Sequence, residues 1–579
     1  MRAEYEKRLA ERQAEHDRCA RIERRLGYVR LVLALVIVVV GWMGWVSHAC
    51  SPAWTALPLL AFAAVVVRNH LVTEARIRAG RAADYYRDGL ARIEGVWSGP
   101  MGRRFEDLSH LYAADIDLFG ERSLFQMLCR ARTRTGERVL ATWLCERAEP
   151  DVARARQVAV AELRDHLDLR EDLSVMGEAL EELLEPDPLR AWARGDATPA
   201  LDATRRIAFV LPLVSIAGLV LWAYWPYGVF VALAAMGVQS LFAFAHRKKV
   251  RAIRESVEHV GADLDLIIAL FRRLQSEQFE APILKEMLEG AGEPVGDLRT
   301  LKRTIERIEA RGNVFFAPIA ALLLWTSRHA FAVEAWRADH GVALARWLDV
   351  AGEFEAFSSI ATYSAEQPDD PFPEFVEEGP LFDAEELGHP LLAASDCVRN
   401  SVRLASDDPL LLISGSNMSG KSTLLRAIGV ATVMASMGAP VRAKSLRLSP
   451  LQVGASIVSR DSIRDGTSRF YAEITRLRDI VASAQREPTL YLLDEVFMGT
   501  NSHDRRIGAA ALMRGLVAAG AIGLVTTHDL ALTEIDGATN KHFSDQMEKG
   551  TMHFDHTLRE GVVTHSNALE LMRSVGLDV

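Results

Sequence analysis

The stretch Gly415-Ser416-Asn417-Met418-Ser419-Gly420-Lys421-Ser422 decides the fold of the C-terminal part of this chain. It fits the pattern G-x-x-x-x-G-K-[ST], in which glycines let the backbone wrap around a phosphate. The apolar run 410–413 precedes it and is typical of a buried parallel strand, and residues 423–428 have the pattern of a helix start. The helix N-terminus then faces the bound anion. The sequence therefore predicts a P-loop nucleotide site in a parallel α/β domain.

The loop also supplies the chemistry that ATP and Mg²⁺ require. Lys421 is predicted to reach the β- and γ-phosphates, and the hydroxyl of Ser422 is predicted to bind Mg²⁺. The residues expected to hold ATP are Gly415, Ser416, Asn417, Met418, Ser419, Gly420, Lys421, Ser422 and Thr423.

Two further apolar stretches end in side chains that suit ATP hydrolysis. The first, 491–493, ends in Asp494 and Glu495. Asp494 is expected to hold Mg²⁺ directly or through water, and Glu495 is expected to polarise the attacking water. The second stretch, 523–527, ends in His528, where a histidine can sense the γ-phosphate. An acidic strand end or a single histidine can also be structural, but their position after a P-loop favours catalysis.

A fourth candidate lies between these strands. Asp465-Gly466-Thr467-Ser468 precedes a helical pattern over 470–480, so Ser468 is predicted to cap a helix N-terminus. Such an N-terminus, preceded by glycine, can bind an anion. Because this segment lies far along the chain from the P-loop, two interpretations are open. It is either an ordinary capped helix or one that offers Ser468 to the nucleotide of a second subunit.

Together these motifs resemble those of the MutS family of DNA mismatch-repair ATPases. The resemblance is strong from about Glu386 onward and weaker over the preceding helices. It implies a head-to-tail homodimer in which Lys421, Glu495 and His528 act on one ATP and Ser468 comes from the partner. The stretches that carry it are Ser414–Thr423 with its Asn-Met pair, Gly466–Glu473, Asp494-Glu495, Gly499–Asp504, Thr526–His528, His389-Pro390 and, earlier, Asp117–Gly120 to Trp143-Leu144.

The chain also departs from the family pattern. No N-terminal mismatch-reading domain is visible, and the Phe-x-Glu wedge of the family has no counterpart. Cys397-Val398 stands where the resemblance leads us to expect an aromatic residue that stacks on adenine. These departures concern DNA reading and base selectivity, and they leave the phosphate chemistry intact.

Composition bounds the remaining possibilities. A chain of 579 residues forms several domains, and its formal net charge of -10 argues against a nucleic-acid surface that covers the whole chain. The five cysteines are scattered and show no metal-binding spacing, which suits a reducing cytosol.

Four long apolar runs without charged residues form the second main feature. They are Leu31–Val46, Trp54–Val67, Ile207–Tyr224 and Tyr227–Ala245. With their uncharged flanks, each approaches the roughly 20 residues that span a bilayer, and Trp and Tyr stand near their ends. We expect two transmembrane hairpins, and buried core helices are the alternative. The shorter run 314–325, which contains Pro318, is expected to be buried or to lie at an interface.

Basic residues predict the orientation of these hairpins. The turns within the pairs carry no Lys or Arg, whereas both outer flanks of each pair are basic. The positive-inside rule then places both termini and the ATPase domain in the cytoplasm of a multi-pass plasma (inner) membrane protein. The flanking residues are Arg24, Arg25, Arg30, Arg68, Arg76, Arg78, Arg205, Arg206, Arg247, Lys248, Lys249 and Arg251. A cleaved signal peptide is not expected, because the leading segment is long and mixes Glu with Arg.

The expected fold class is multidomain: an α-helical core and lever region with transmembrane helical hairpins, followed by a C-terminal α/β P-loop (ABC-type) ATPase domain. The expected divisions are a charged helix at 1–26, hairpin one at 27–69, helical core at 70–204, hairpin two at 205–247, further core with a lever helix and linker at 248–379, and the ATPase at 380–579. Within the lever region, 344–360 is predicted to form a long helix entering the ATPase.

The sequence indicates a membrane-tethered ATPase that couples ATP hydrolysis to movement of helical arms, with mismatched or branched DNA as the expected partner. A transport ATPase is one alternative. A transport ATPase usually carries a signature like Leu-Ser-Gly-Gly-Gln and a larger bundle of transmembrane helices, and neither is visible in the sequence. A nucleotide-switched membrane scaffold without DNA binding is the other alternative, and the sequence does not separate it from the first interpretation.

Overall fold

The computed structural model of the chain describes residues 1–177, 186–195, 201–257, 260–309, 317–416, 419–457, 469–497, 500–535, 537–548 and 551–563. Within these ranges, a mostly helical region occupies the N-terminal two thirds and an α/β domain follows it. The expected multidomain organisation, helical first and α/β second, is confirmed.

The chain begins with a hairpin of two long helices, α1 (Arg2–Trp45) and α2 (Ala56–Ile93), joined through a short 3-10 turn at Pro52–Thr55. At 44 residues, α1 is about 66 Å long. Its apolar half is exposed, with Leu31 at 69% and Trp45 at 70%. Its charged half packs on the helical core through the fully buried Tyr5. One helix thus runs without a break through the division expected near residue 26.

A second hairpin consists of α8 (Leu201–Trp222) and α9 (Gly228–Val257). The two helices approach closely at Gly218, where a Cβ would lie 2.7 Å from the backbone nitrogen of Ala232. Small residues permit such contacts in membrane helices. By length and composition alone, α1, α2, α8 and α9 are the helices in the described ranges that could cross a membrane.

The helical core surrounds one long helix, α14 (Trp325–Glu366). Its 42 residues extend about 63 Å, and it contains the helix expected over 344–360. It contacts hairpin two at one end and is almost entirely buried towards the other, where it enters the α/β domain. The remaining core helices are α3 (Leu124–Leu128), α4 (Arg134–Cys145), α5 (Pro150–Asp165), α6 (Leu167–Gly177), α7 (Pro186–Arg194), α10 (Val260–Gln275), α11 (Pro282–Ala291), α12 (Pro294–Glu309) and α13 (Ala317–Leu322).

The α/β domain contains two sheets. The strands are β1 (Glu374–Phe375), β2 (Leu381–Leu387), β3 (Asn400–Ala405), β4 (Leu410–Ser414), β5 (Ser445–Leu448), β6 (Gln452–Ser456), β7 (Thr489–Asp494), β8 (Ile522–Thr527), β9 (Ala538–Glu548) and β10 (Thr551–Glu560). The larger sheet has the order β10-β9-β4-β8-β7-β6, and all neighbours are parallel except β10 and β9. The smaller has the order β1-β5-β2-β3.

Three helices of this domain bear on the site: α15 (Lys421–Ser436), α16 (Arg469–Ala484) and α17 (Ser502–Ala518). The helical region packs directly on the first of them. A Cβ at Gly429 of α15 would lie 2.9 Å from the Cγ2 atom of the fully buried Ile116. Arg426 of α15 also donates to the carbonyl oxygen of Asp115 at 3.1 Å. Helix α15 and the helical region therefore share one apolar core.

Candidate functional site

The P-loop has the local structure that its sequence predicts. The buried strand β4 leads into the loop, and α15 begins at Lys421. Gly415 and Gly420 have φ angles of 150° and 111°, conformations that favour glycine. The Lys421 amine donates to the carbonyl oxygens of Gly415 at 2.6 Å and Ser416 at 3.1 Å. The tip residues Asn417 and Met418 lie outside the described ranges.

Polar atoms in this loop are available to a ligand. The hydroxyl oxygens of Ser416 and Ser419 are buried and have no hydrogen-bond partner among the described residues. Burial lowers the pKa of the Lys421 amine, although the carboxylate of Glu495 opposes this effect. A buried amine and unpartnered hydroxyls both gain from an anion, because an unmade hydrogen bond in the interior is costly. The residues present therefore fit a phosphate group.

Parallel strand order brings the metal-binding candidates together. β7 lies next to β8, and β8 lies next to β4. The Ser422 hydroxyl donates to Asp494 Oδ2 at 2.5 Å, and the Thr526 hydroxyl donates to Asp494 Oδ1. One hydroxyl and one carboxylate fit Mg²⁺, which is commonly held by one or two protein oxygens plus substrate phosphates. The described residues contain no separate cluster of three or more His, Cys, Asp or Glu that could hold a metal ion.

Glu495 lies between the other two catalytic candidates, Lys421 and His528. Its Oε1 atom contacts His528 Nε2 and lies 3.8 Å from Lys421 Nζ. The hydrogen bond with His528 is the main reason that the pKa of Glu495 is lowered, so the carboxylate is held in its charged form. Its backbone has a φ angle of 50°, uncommon for a residue other than glycine, and strain of this kind clusters at functional sites. The structure thus brings together the three side chains predicted for catalysis on one ATP.

A pocket of about 330 Å³ opens beside the P-loop. Its lining includes Lys421, Ser422 and Glu495, together with residues far from them in sequence. His389, which belongs to one of the family motifs, is one of these distant residues. Its pKa is lowered to about 4, mainly by burial and also by Arg426 and Arg442, so the imidazole is neutral at pH 7.

Sequence reasoning missed part of this pocket. Asn400 of β3, Phe543 of β9 and His556 of β10 line it, and no motif marked them. His556 Nδ1 lies 3.0 Å from the carbonyl oxygen of Ser419, and the Asn400 amide donates to the carbonyl oxygen of His556 at 3.0 Å. The C-terminal hairpin therefore packs against the P-loop. Val398, noted above as replacing an aromatic residue, also lines the pocket.

The helix expected to follow Ser468 is present as α16, which begins at Arg469. Ser468 itself lies outside the described ranges, so its action on a partner's nucleotide stays a prediction. Glu473 of α16 accepts a hydrogen bond from the backbone nitrogen of Phe497, two residues after Glu495. The rings of Phe470 and Phe497 are 6.4 Å apart. The first turns of α16 are thus packed against the segment that carries Glu495.

Comparison with known proteins agrees with this geometry. Residues 411–578 match the family model of MutS domain V. Over 247 residues the chain is 33% identical to "DNA mismatch repair protein MutS 2" of Halobacterium salinarum, covering 41% of this chain and 28% of that protein. It is 38% identical over 141 residues to "Endonuclease MutS2" of Thermus thermophilus, covering 24% of this chain and 18% of that protein.

A eukaryotic protein is similar to this chain over an aligned stretch of comparable length. "Probable DNA mismatch repair protein Msh6" of Drosophila melanogaster is 34% identical over 186 residues, or 31% of this chain and 16% of that protein. The chain therefore spans less than a third of the length of these curated relatives.

Proposed function

We propose that this chain, whose C-terminal domain matches the family model of MutS domain V, is a membrane-tethered ATPase of the MutS type. Its ATP-driven closure would move helical arms on DNA. ATP and Mg²⁺ are the expected ligands, and a head-to-tail homodimer is the expected assembly. The geometry of the site carries this proposal. Lys421 and Ser422 at the start of α15 contact Glu495 and Asp494 at the end of β7, and His528 after β8 contacts Glu495.

In this mechanism each side chain has one task. Lys421 holds the β- and γ-phosphates, and Ser422 with Asp494 holds Mg²⁺, which would neutralise charge on the phosphates. Glu495 polarises the attacking water, because its lowered pKa keeps it ionised and able to accept a proton. His528 orients that carboxylate through their mutual contact and reports the presence of the γ-phosphate.

The lysine of the P-loop provides the direct test of ATP use. Lys421→Ala should abolish tight ATP binding, because it removes the positive amine that pairs with the phosphates. Hydrogen bonds to two loop carbonyl oxygens hold that amine in place. Lys444→Ala is the matched control, since that lysine is exposed and pairs with Glu385 at 3.2 Å on the smaller sheet. Filter binding of labelled ATP measures both variants. Tight binding by Lys421→Ala, or equal loss in Lys444→Ala, would contradict the assignment.

Exposed apolar side chains support a dimer. Tyr471 of α16 is 63% exposed and Ile507 of α17 is 55% exposed, and these two helices are in contact. Apolar groups that face solvent on adjoining elements are typical of protein–protein contact sites. They lie next to the segment that carries Glu495, where a second subunit would have to supply Ser468. The proposed assembly would cover these side chains.

Membrane insertion is supported by the exposure of the four apolar helices. Side chains such as Leu35, Leu60 and Leu241 each face outward from α1, α2 and α9. Exposing this much apolar surface to water is unfavourable, and a bilayer removes that cost. We propose an inner-membrane protein with both termini and the ATPase in the cytoplasm, as the basic flanks predict.

The long helix α14 is the proposed arm that connects the membrane to the ATP site. At one end, Phe242 of α9 contacts Phe331 of α14 with ring centroids 6.3 Å apart, and the Gln239 side chain of α9 donates to the carbonyl oxygen of Leu322 in the preceding helix α13. At the other end, the Tyr363 hydroxyl donates to Asp370 at 2.6 Å, and the Asp370 carboxylate lies 3.8 Å from Arg442 of the α/β domain. A rigid helix tied at both ends can transmit closure of the ATP site towards hairpin two.

Binding of DNA is tested by a separate experiment. The detergent-solubilised protein should bind branched or mismatched DNA more tightly than homoduplex, with ATP changing the affinity. Measurement across a salt series gives the number of phosphate contacts from the slope. No binding to any of these DNAs, in a preparation that hydrolyses ATP, would favour a nucleotide-switched scaffold instead.

A further inference from the structure

A second recess lies in the helical region, away from the P-loop. It has a volume of about 450 Å³ and is bounded by α2, the segment 98–104, the segment 129–134 and Ser174 of α6. We name it the arginine pocket, because five arginines line it: Arg92, Arg104, Arg130, Arg132 and Arg134. The acidic residues in its lining are Asp88 and Glu137.

Acidic side chains contact part of the arginine pocket. Arg92 forms a buried ion pair with Glu366 at 2.5 Å, and Arg104 pairs with Glu137. Glu355, whose carboxylate accepts from the backbone nitrogen of Arg132, is a weak counter-charge because burial raises its pKa to about 7. By formal charge, the lining itself contains five arginines and two carboxylates, those of Asp88 and Glu137.

Two groups in the arginine pocket gain directly from an anion. The Tyr85 hydroxyl is buried, with the residue only 4% exposed, and it has no hydrogen-bond partner among the described residues. Arg130 donates to the carbonyl oxygens of Cys129 and Met127. Burial lowers the pKa of its guanidinium to about 9, and the nearby Arg92 adds to that effect. An unpartnered donor beside a desolvated cation is the arrangement that a bound anion stabilises.

We propose that the arginine pocket binds a phosphate-bearing small molecule, at a site separate from the nucleotide site. Guanidinium groups match phosphate oxygens with two parallel hydrogen bonds, which makes phosphate the favoured anion. A recess of about 450 Å³ is within the usual size range of small-ligand sites and encloses far less volume than a DNA duplex requires.

The distance from the membrane favours a soluble ligand over a lipid headgroup. The apolar run of α2 ends at Val67, and Tyr85 and Arg92 follow on the same helix 18 and 25 residues later. At 1.5 Å per residue, the arginine pocket lies about 27 to 38 Å beyond the end of that run. A phospholipid headgroup in the bilayer does not reach this far.

The arginine pocket is connected to the nucleotide pocket by a continuous series of contacts. Glu366, the partner of Arg92, is the last residue of α14. Its neighbour Gln367 accepts a hydrogen bond from Arg442 at 3.0 Å. Arg442 also donates to the carbonyl oxygen of Leu392 at 2.9 Å, and Leu392 lines the nucleotide pocket. A ligand that contacts Arg92 therefore affects the end of α14 that enters the ATPase domain.

Calorimetric titration with inorganic pyrophosphate tests this proposal in the full-length protein, reconstituted in nanodiscs of neutral lipid. All samples carry Lys421→Ala, so that phosphate affinity at the P-loop is removed. Arg134→Gln is the main variant, because that arginine lines the recess yet is exposed and can be changed without disturbing the core. Arg103→Gln is the matched control, because Arg103 is an exposed arginine of the segment 98–104 but does not itself line the recess.

One pyrophosphate should bind per chain, and Arg134→Gln should weaken binding by about tenfold or more, the value of one charged hydrogen bond. Arg103→Gln should bind like its parent, and nanodiscs of anionic phospholipid should leave the affinity unchanged. The absence of saturable binding, equal affinity of the Arg134→Gln and Arg103→Gln proteins, or competition by anionic lipid would each overturn the proposal.

Discussion

Replacing Glu495 by Gln isolates the catalytic role of its carboxylate. Glutamine keeps the size of the side chain and an oxygen that can still accept from His528, so the local packing should be preserved. It loses the negative charge and the ability to take a proton from water. Lys421 keeps its hydrogen bonds to the carbonyl oxygens of Gly415 and Ser416, which do not involve Glu495. We therefore expect the variant to bind ATP and to hydrolyse it slowly.

The expected loss follows from what the substitution leaves in place. A positioned general base contributes about 10²- to 10⁴-fold to the rate. Phosphate charge stabilisation by Lys421 and the Mg²⁺ ligands Ser422 and Asp494 is retained, so we expect a loss near a hundredfold, or about 3 kcal/mol in the activation barrier. Removal of a negative charge 3.8 Å from Lys421 Nζ should leave ATP affinity equal or tighter.

Two measurements separate binding from chemistry. Filter binding gives the ATP affinity, and single-turnover release of labelled phosphate gives the rate of hydrolysis. Glu487→Gln is the matched control, because Glu487 precedes the opposite end of the same strand, β7, and does not line the pocket. Hydrolysis by Glu495→Gln within about threefold of the wild-type rate, well inside the base effect, would remove Glu495 from its role.

Three further predictions address topology, assembly and pH dependence. Single cysteines near Ser51 and Trp225 should be labelled from outside the cell in a background without native cysteines, whereas labelling in the ATPase domain would reject the four-span topology. Mixing Ser468→Arg protein with Lys421→Ala protein should restore some ATPase activity, since the heterodimer has one intact site, and ATP-dependent crosslinking at position 468 should reach the partner's P-loop. If no intersubunit crosslink forms under any nucleotide condition, Ser468 does not act in trans. The pKa of His389 is about 4 in the folded protein and 6.5 in the unfolded chain, so the free energy of unfolding decreases as the pH is lowered through that interval. Between pH 7 and pH 5, His389→Gln should remove about 2 kcal/mol of this decrease, as measured by urea unfolding. An unchanged pH dependence would contradict this prediction.

The P-loop shows what local sequence is enough to predict. Its glycines, lysine and serine are neighbours in the chain, so their spacing alone predicts the strand-loop-helix arrangement that the structure has. The terminal residues of β7 and β8 were predictable for a related reason, because parallel strands present their carboxyl ends at the same edge of a sheet. The sequence could not give the contact between Glu495 and His528, which depends on these two strands being adjacent.

The outer wall of the nucleotide pocket was beyond sequence reasoning. Asn400 precedes the P-loop, and His556 follows it by more than a hundred residues. Neither belongs to a recognisable pattern, since a single asparagine or histidine on a strand has many structural uses. The order of strands in two sheets brings them to the P-loop, and that order is set by long-range pairing.

The sequence by itself determined the nucleotide-binding loop, the apolar length of the four candidate membrane helices and the presence of a helical region before the ATPase. These properties reside in contiguous residues, whose spacing and hydrophobicity act over one strand or one helix. The tertiary structure alone decided that α14 joins hairpin two to the ATPase, and that five arginines from separate segments surround one recess. Such contacts join residues distant in the chain, and they form only when the packing of whole elements against a shared core fixes their positions.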